Sequence, residues 1–106
     1  MTDAVIVLTT TGSKEEAERI AETLVEERLA ACVTIVPRVK SVYRWKGRVE
    51  KSEEYLLLIK TVRGLYGRLE ERIRGLHSYE LPEILAVSVD RGLEEYLRWV
   101  AGETGD

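Results

Sequence analysis

The stretch Leu76–Ile84, LHSYELPEI, gathers the side chains of this chain best suited to chemistry. It holds the only histidine, His77, followed closely by Tyr79, Glu80 and Glu83. An imidazole with nearby carboxylates can ligate divalent ions, and such nitrogen–oxygen donor sets accept several ions rather than selecting one. The same residues also suit a plainer role, because a histidine at a helix end interacts with free carbonyls and with the negative end of the dipole. One imidazole cannot close a tetrahedral site, so metal ligation needs donors from another copy of the chain. The single cysteine, Cys32, excludes an intrachain disulfide. It follows two alanines at the head of an apolar run, where a thiol packs as a small hydrophobe; copper(I) ligation by Cys32 is the lesser reading.

Enzyme chemistry finds little support. There is no Gly-x-Ser-x-Gly elbow, and TTTGSK lacks the second glycine and the ending of a phosphate-binding loop. His77 with Glu83 is the one local acid–base arrangement. The expectation is a binding protein with no catalytic residue.

The surroundings of these residues set further bounds. The chain has 106 residues, the size of one domain, taken as 1–106. Charged residues make up 33% and hydrophobic ones 44%, which fits a soluble globular fold rather than disorder. The net charge is −3 with both signs interspersed, so no phosphate-backbone footprint is visible and nucleic acid is excluded as a partner. Apolar runs such as Tyr55–Ile59 are too short to span a bilayer. The segment MTDAVIVLTT has neither a basic start nor a signal-length apolar block, so a cytoplasmic location without membrane contact is expected. Asn and Gln are absent while Glu and Arg abound, a pattern that predicts thermostability.

Asp3–Thr9 reads as a buried strand. Ser13 and Glu16 form a capping box, and Ala17, Ile20, Leu24 and Leu29 follow at helical spacing over 14–29. Cys32–Trp45 and Val49–Lys60 are extended arms joined at WKGR, where Gly47 allows positive φ. Each arm is about twice the usual strand length of roughly 5–6 residues. Pro37 cannot donate to a ladder and marks a bulge or an edge position. Thr61 caps a second helix through His77; Pro82 ends helix, and Ile84–Val89 is a fourth strand. Asp90 caps a short final helix, and the tail GETGD is expected to fray.

The order β-α-β-β-α-β predicts an α+β, ferredoxin-like sandwich: an antiparallel sheet with both helices on one face, a long hairpin and an extra C-terminal helix. The second strand is expected to place Val33, Ile35, Val39, Tyr43 and Trp45 on one side, with Thr34, Val36, Arg38, Lys40, Val42 and Arg44 on the other. So small a domain cannot bury such a hairpin, and a long edge invites another chain. Self-association therefore follows from the pattern alone. Tyr43, Trp45, Tyr96 and Trp99 are the aromatic anchors for pockets between copies. Lys60 and Glu54, charged residues on an apolar strand, are candidates to line a cleft between copies.

Several segments in order resemble one family: ERLAACVTIVPRVKSVYRWKGRVE, EEYLLLIKT, LHSYELPEI and YLRWV are similar to the CutA divalent-cation tolerance proteins. The resemblance implies a tight homotrimer, similar in architecture to the PII signalling proteins. It also implies tolerance of copper and other divalent ions, bound weakly at clefts between subunits with no obligatory cofactor. On this reading His77, Glu80 and Glu83 are the metal ligands, Tyr79, Lys60 and Glu54 line the cleft, and the four aromatics form the trimer interface. Many members read His-Pro-Tyr-Glu where this chain has His77-Ser78-Tyr79-Glu80. The copper ligands proposed for the family, a first-strand cysteine and an adjacent histidine pair, correspond here to Thr9 and to Leu76-His77. The runner-up is a PII-like module that binds a small anion or metabolite and docks a protein partner.

Overall fold

The computed structural model describes residues 2–105, so Met1 and Asp106 lie outside the described residues. The elements are β1 (Ala4–Thr11), α1 (Lys14–Glu26), β2 (Cys32–Trp45), β3 (Arg48–Val62), a 3₁₀ turn (Arg63–Leu65), α2 (Tyr66–Leu76), β4 (Leu85–Ser88) and α3 (Glu94–Gly102). The strands form one antiparallel sheet in the order β2-β3-β1-β4. This is the ferredoxin-like arrangement with a third helix added, as expected.

Alternate side chains of a strand share a face. Val5 and Val7 of β1 and Leu57 and Ile59 of β3 turn toward α1 and α2, where Ile20, Leu24, Leu69 and Ile73 complete one buried cluster. Fully burying a side chain of this size contributes about 1.5–3 kcal/mol, so this layer dominates the stability of the subunit. The alternate residues Ile6, Leu8, Leu56 and Leu58 face the other side and are only half-buried. Leu85 and Val87 of β4 share that open face through their pairing with Leu8 and Ile6, and both are exposed.

Pro37 marks both of the features expected of it. β2 is an edge strand, and its register with β3 shifts between Val36 and Val39, with Arg38 at φ 61°. The bulge overturns the expected division of β2 into faces. Val36 lies opposite Leu56 and Val39 opposite Glu54, so these two share the open face although an even number of steps does not separate them. Beyond the bulge Tyr43 and Trp45 continue the open face, while Lys40, Val42 and Arg44 continue the helix side. One extra residue flips every side chain after it. The hairpin closes at Lys46 and Gly47, both with positive φ (50° and 79°), as a type I′ turn requires.

Four local expectations are corrected. First, α1 stops at Glu26, short of Leu29. Arg28 adopts φ 61°, its N–H donates to the Val25 carbonyl, and the Leu29 N–H donates to that of Leu24. This is a Schellman stop with arginine in the usual glycine position, and Leu29 is its apolar follower rather than a helical residue. Second, Thr61 does not cap α2. It stays in the β3 ladder opposite Val5, and its hydroxyl donates to the Leu29 carbonyl at 2.7 Å. Third, Asp90 does not cap α3, whose N-cap is Leu93 without a side-chain bond; Asp90 is exposed beside Arg91. Fourth, the tail is fastened through Gly105. The Arg28 guanidinium donates to the carbonyls of Gly105 (2.7 Å) and Gly102 (3.0 Å), and the Gly105 N–H returns to the Arg28 carbonyl.

Candidate functional site

The loop from His77 to Ile84 leaves α2 when His77 turns extended (ψ 141°) while its N–H still donates to the Ile73 carbonyl. Three elements then hold it. The His77 Nε2–H donates to the Thr10 carbonyl of β1 at 2.7 Å, and Nδ1 accepts the Tyr79 N–H at 3.1 Å. The imidazole is fully buried, so neither nitrogen has a free approach. From α1, the Glu16 carboxylate accepts the Ser78 N–H (2.6 Å) and hydroxyl (3.1 Å). Only half of the expected capping box forms: Ser13 accepts the Glu16 N–H, but the Glu16 side chain is turned to the loop instead. From β3, Glu54 accepts the Tyr79 hydroxyl at 2.7 Å.

Tyr79 lies against the His77 ring, 4.7 Å between centroids. A Cβ at Gly12 would come within 3.1 Å of its hydroxyl, so a side chain there would have to shift the Tyr79 ring. Burial pushes the Tyr79 phenol well above its usual range. The bond to the Glu54 carboxylate and the charges of Glu54 and Glu16 push the same way. Glu54 is 6% exposed and Glu16 5%, two carboxylates taken largely out of water. Buried charges need donors; among the described residues Glu16 has two from Ser78, whereas Glu54 has the single phenol.

The structure brings His77, Tyr79 and Glu54 together and adds Glu16, Ser78, Gly12 and the Thr10 carbonyl, none of which the sequence reading had placed at the site. No local signal pointed to Glu16, because its partner Ser78 is 62 residues away. Glu80 and Glu83 point outward and are exposed. Lys60 stands apart from Glu54, about 20 Å along β3 at 3.3 Å per residue, and donates to the Thr34 hydroxyl (2.5 Å) and the Leu58 carbonyl. Cys32 is a half-buried free thiol. Tyr96 of α3 stands beside it, and its phenol is pushed up, first by burial and then by that thiol. Tyr43, Trp45, Tyr96 and Trp99 all remain exposed. Among the described residues no three His, Cys, Asp or Glu side chains group as metal ligands. One chain alone therefore does not fit a closed metal site.

The family description CutA1 divalent ion tolerance protein matches residues 5–103. The chain belongs to this family. It is 50% identical over 100 residues to the divalent-cation tolerance protein CutA of Thermus thermophilus, covering 94% of this chain and 97% of that one. The solved Cut A1 structure from the same organism superposes with a TM-score of 0.94 at 49% identity, covering 96% of this chain and 99% of that one. CutA from Xylella fastidiosa gives 0.95 at 43% identity, covering 98% and 100%. The CutA family is named for ion tolerance and not for a reaction. Among the described residues no helix is long and apolar enough to cross a membrane.

Proposed function

We propose that this chain contributes to divalent-cation tolerance as a homotrimer that holds ions weakly in clefts between copies. The observation that carries the reading is the open face of the sheet. Leu56, Leu58, Ile6 and Leu8 are half-buried there, and Leu85, Val87, Tyr43 and Trp45 are exposed. A monomer rarely leaves so much contiguous apolar surface in water. With too few ligands in one chain, an ion must draw on two copies. Glu80 and Glu83 offer free carboxylates at the rim of the tethered loop, a donor type that binds divalent cations without strong selection. His77 joins them only by releasing the Tyr79 amide, and Cys32 only by parting from Tyr96. Copper is among the ions proposed, with no cofactor required.

Calorimetry with copper, zinc and cadmium tests the ion reading on the wild type and on Glu80→Gln with Glu83→Gln. Weak heats that fall in the double variant support it. Equal heats from both proteins, or none from either, remove it.

A further inference from the structure

The sheet gives way to a two-stranded ribbon at one residue. The last pair between β1 and β3 is Thr11 with Tyr55. Beyond it, from Glu54 to Arg48, β3 pairs with β2 alone. Glu54 is therefore the root of the ribbon. Opposite it stands Val39, the first residue past the register shift, and Arg38 beside Val39 holds φ 61° without being glycine. A left-handed arginine at a bulge makes a strained joint, and a bulge bends the strand that carries it. Outward of this joint the ribbon has little cover: Val42 and Val49 are 60% and 62% exposed. Segments with few buried contacts are the first to shift.

The loop after α2 reaches this root. The Tyr79 hydroxyl donates to Glu54. Among the described residues no other side-chain hydrogen bond or ion pair joins the ribbon, 37–54, to the rest of the chain. Both ends of this bond are fixed. Glu54 is buried, so its charge is costly to leave without a donor. The Tyr79 ring rests on the buried His77 imidazole and packs against Gly12. Its neighbour Ser78 is held by Glu16. Glu80 follows directly in the chain and Glu83 three residues later, and both are exposed.

We propose that the Tyr79–Glu54 bond is a latch through which an ion held by Glu80 and Glu83 sets the hairpin at its root. The latch rests on the ion reading above and gives that site a conformational output. Drawing the two carboxylates onto one cation shifts the backbone beside Tyr79. The ring is too closely packed to absorb the shift, so it passes to Glu54 and on to the strained joint at Arg38. Tyr79 is then a positioning residue that touches no ion. The coupling is reciprocal: the set of the hairpin changes ion affinity by the same factor as the ion changes the hairpin.

Hydrogen exchange of the full chain, read by mass spectrometry with zinc as the probe, tests the latch. At saturating zinc the wild type should exchange more slowly in the loop, 77–84, and at the root, 36–42 with 52–56. The slowing at the root should be about fivefold or more, the lower end of ordinary coupling between sites. Tyr79→Phe should keep the slowing in the loop and lose it at the root. Glu54→Gln removes the charge but keeps an acceptor for the phenol, so it should retain both. Each protein is compared with itself with and without zinc, which cancels differences in basal stability. Slowing in the wild-type loop without slowing at the root would sink the latch and leave ion binding standing. A root response that survives Tyr79→Phe, or one lost in Glu54→Gln, would do the same. Loss of both responses in Tyr79→Phe would make Tyr79 part of the ion site itself and overturn the latch equally. Unchanged exchange at both places in the wild type would remove the ion reading and the latch together.

Discussion

Neighbouring leucines and isoleucines of β3 live in different surroundings. Leu57 and Ile59 are fully buried beneath α1 and α2. Leu56 and Leu58, on the same strand, are half-buried on the open side. Residue type and backbone are alike, so the difference lies in what covers each face. One face is finished within the chain. The other has the composition of a core and the exposure of a surface.

The largest effect should come from breaking the finished face. Ile59→Ala should destabilise the subunit by about 2–5 kcal/mol in denaturant titration, since a buried cavity is left behind. Leu58→Glu, one residue earlier, should preserve the far-ultraviolet circular dichroism of the fold while dissolving the assembly. Equal effects of the two on subunit stability would erase the contrast between the faces.

Tyr79→Phe comes next. It leaves the Glu54 carboxylate without its donor and should lower stability by about 2 kcal/mol near neutral pH. The phenol also predicts an alkaline response. Its folded pKa is raised, so the native state holds the proton more tightly than the unfolded chain does. That contribution is complete below the unfolded tyrosine value of about 10 and is lost as pH rises above it. Tyr66 and Tyr96 are shifted the same way, so the variant should show a shallower alkaline decline, not a flat one.

The smallest effect concerns Thr9, whose hydroxyl is buried on the helix side and has no hydrogen-bond partner among the described residues. Thr9→Val keeps the shape and removes the orphaned group, so a gain of about 1 kcal/mol is expected in the same titration. A loss would mean that the hydroxyl has a partner in solution.

Strand order, the long hairpin and the edge bulge were legible because each rests on a local signal: β-branched runs, a Gly-containing turn and a proline. The consequence of the bulge was not carried forward, since alternate counting through Pro37 ignores the inserted residue. The stop of α1 was hidden because Arg28 occupies a left-handed position that sequence assigns to glycine. Thr61 was misplaced because capping and strand propensity compete for the same side chain, and the ladder to β1 won. At the site, spacing alone put His77 and Tyr79 side by side. The inward turn of His77 and the outward turn of Glu80 and Glu83 depend on Thr10 and Glu16, which are distant in sequence.

The open face of the sheet is expected to be covered by other copies of this chain. The mass of the folded particle in solution, by sedimentation equilibrium or light scattering, tests that most directly. The expected result is three times the 12.1 kDa chain. A stable, fully folded particle of a single chain mass would contradict it.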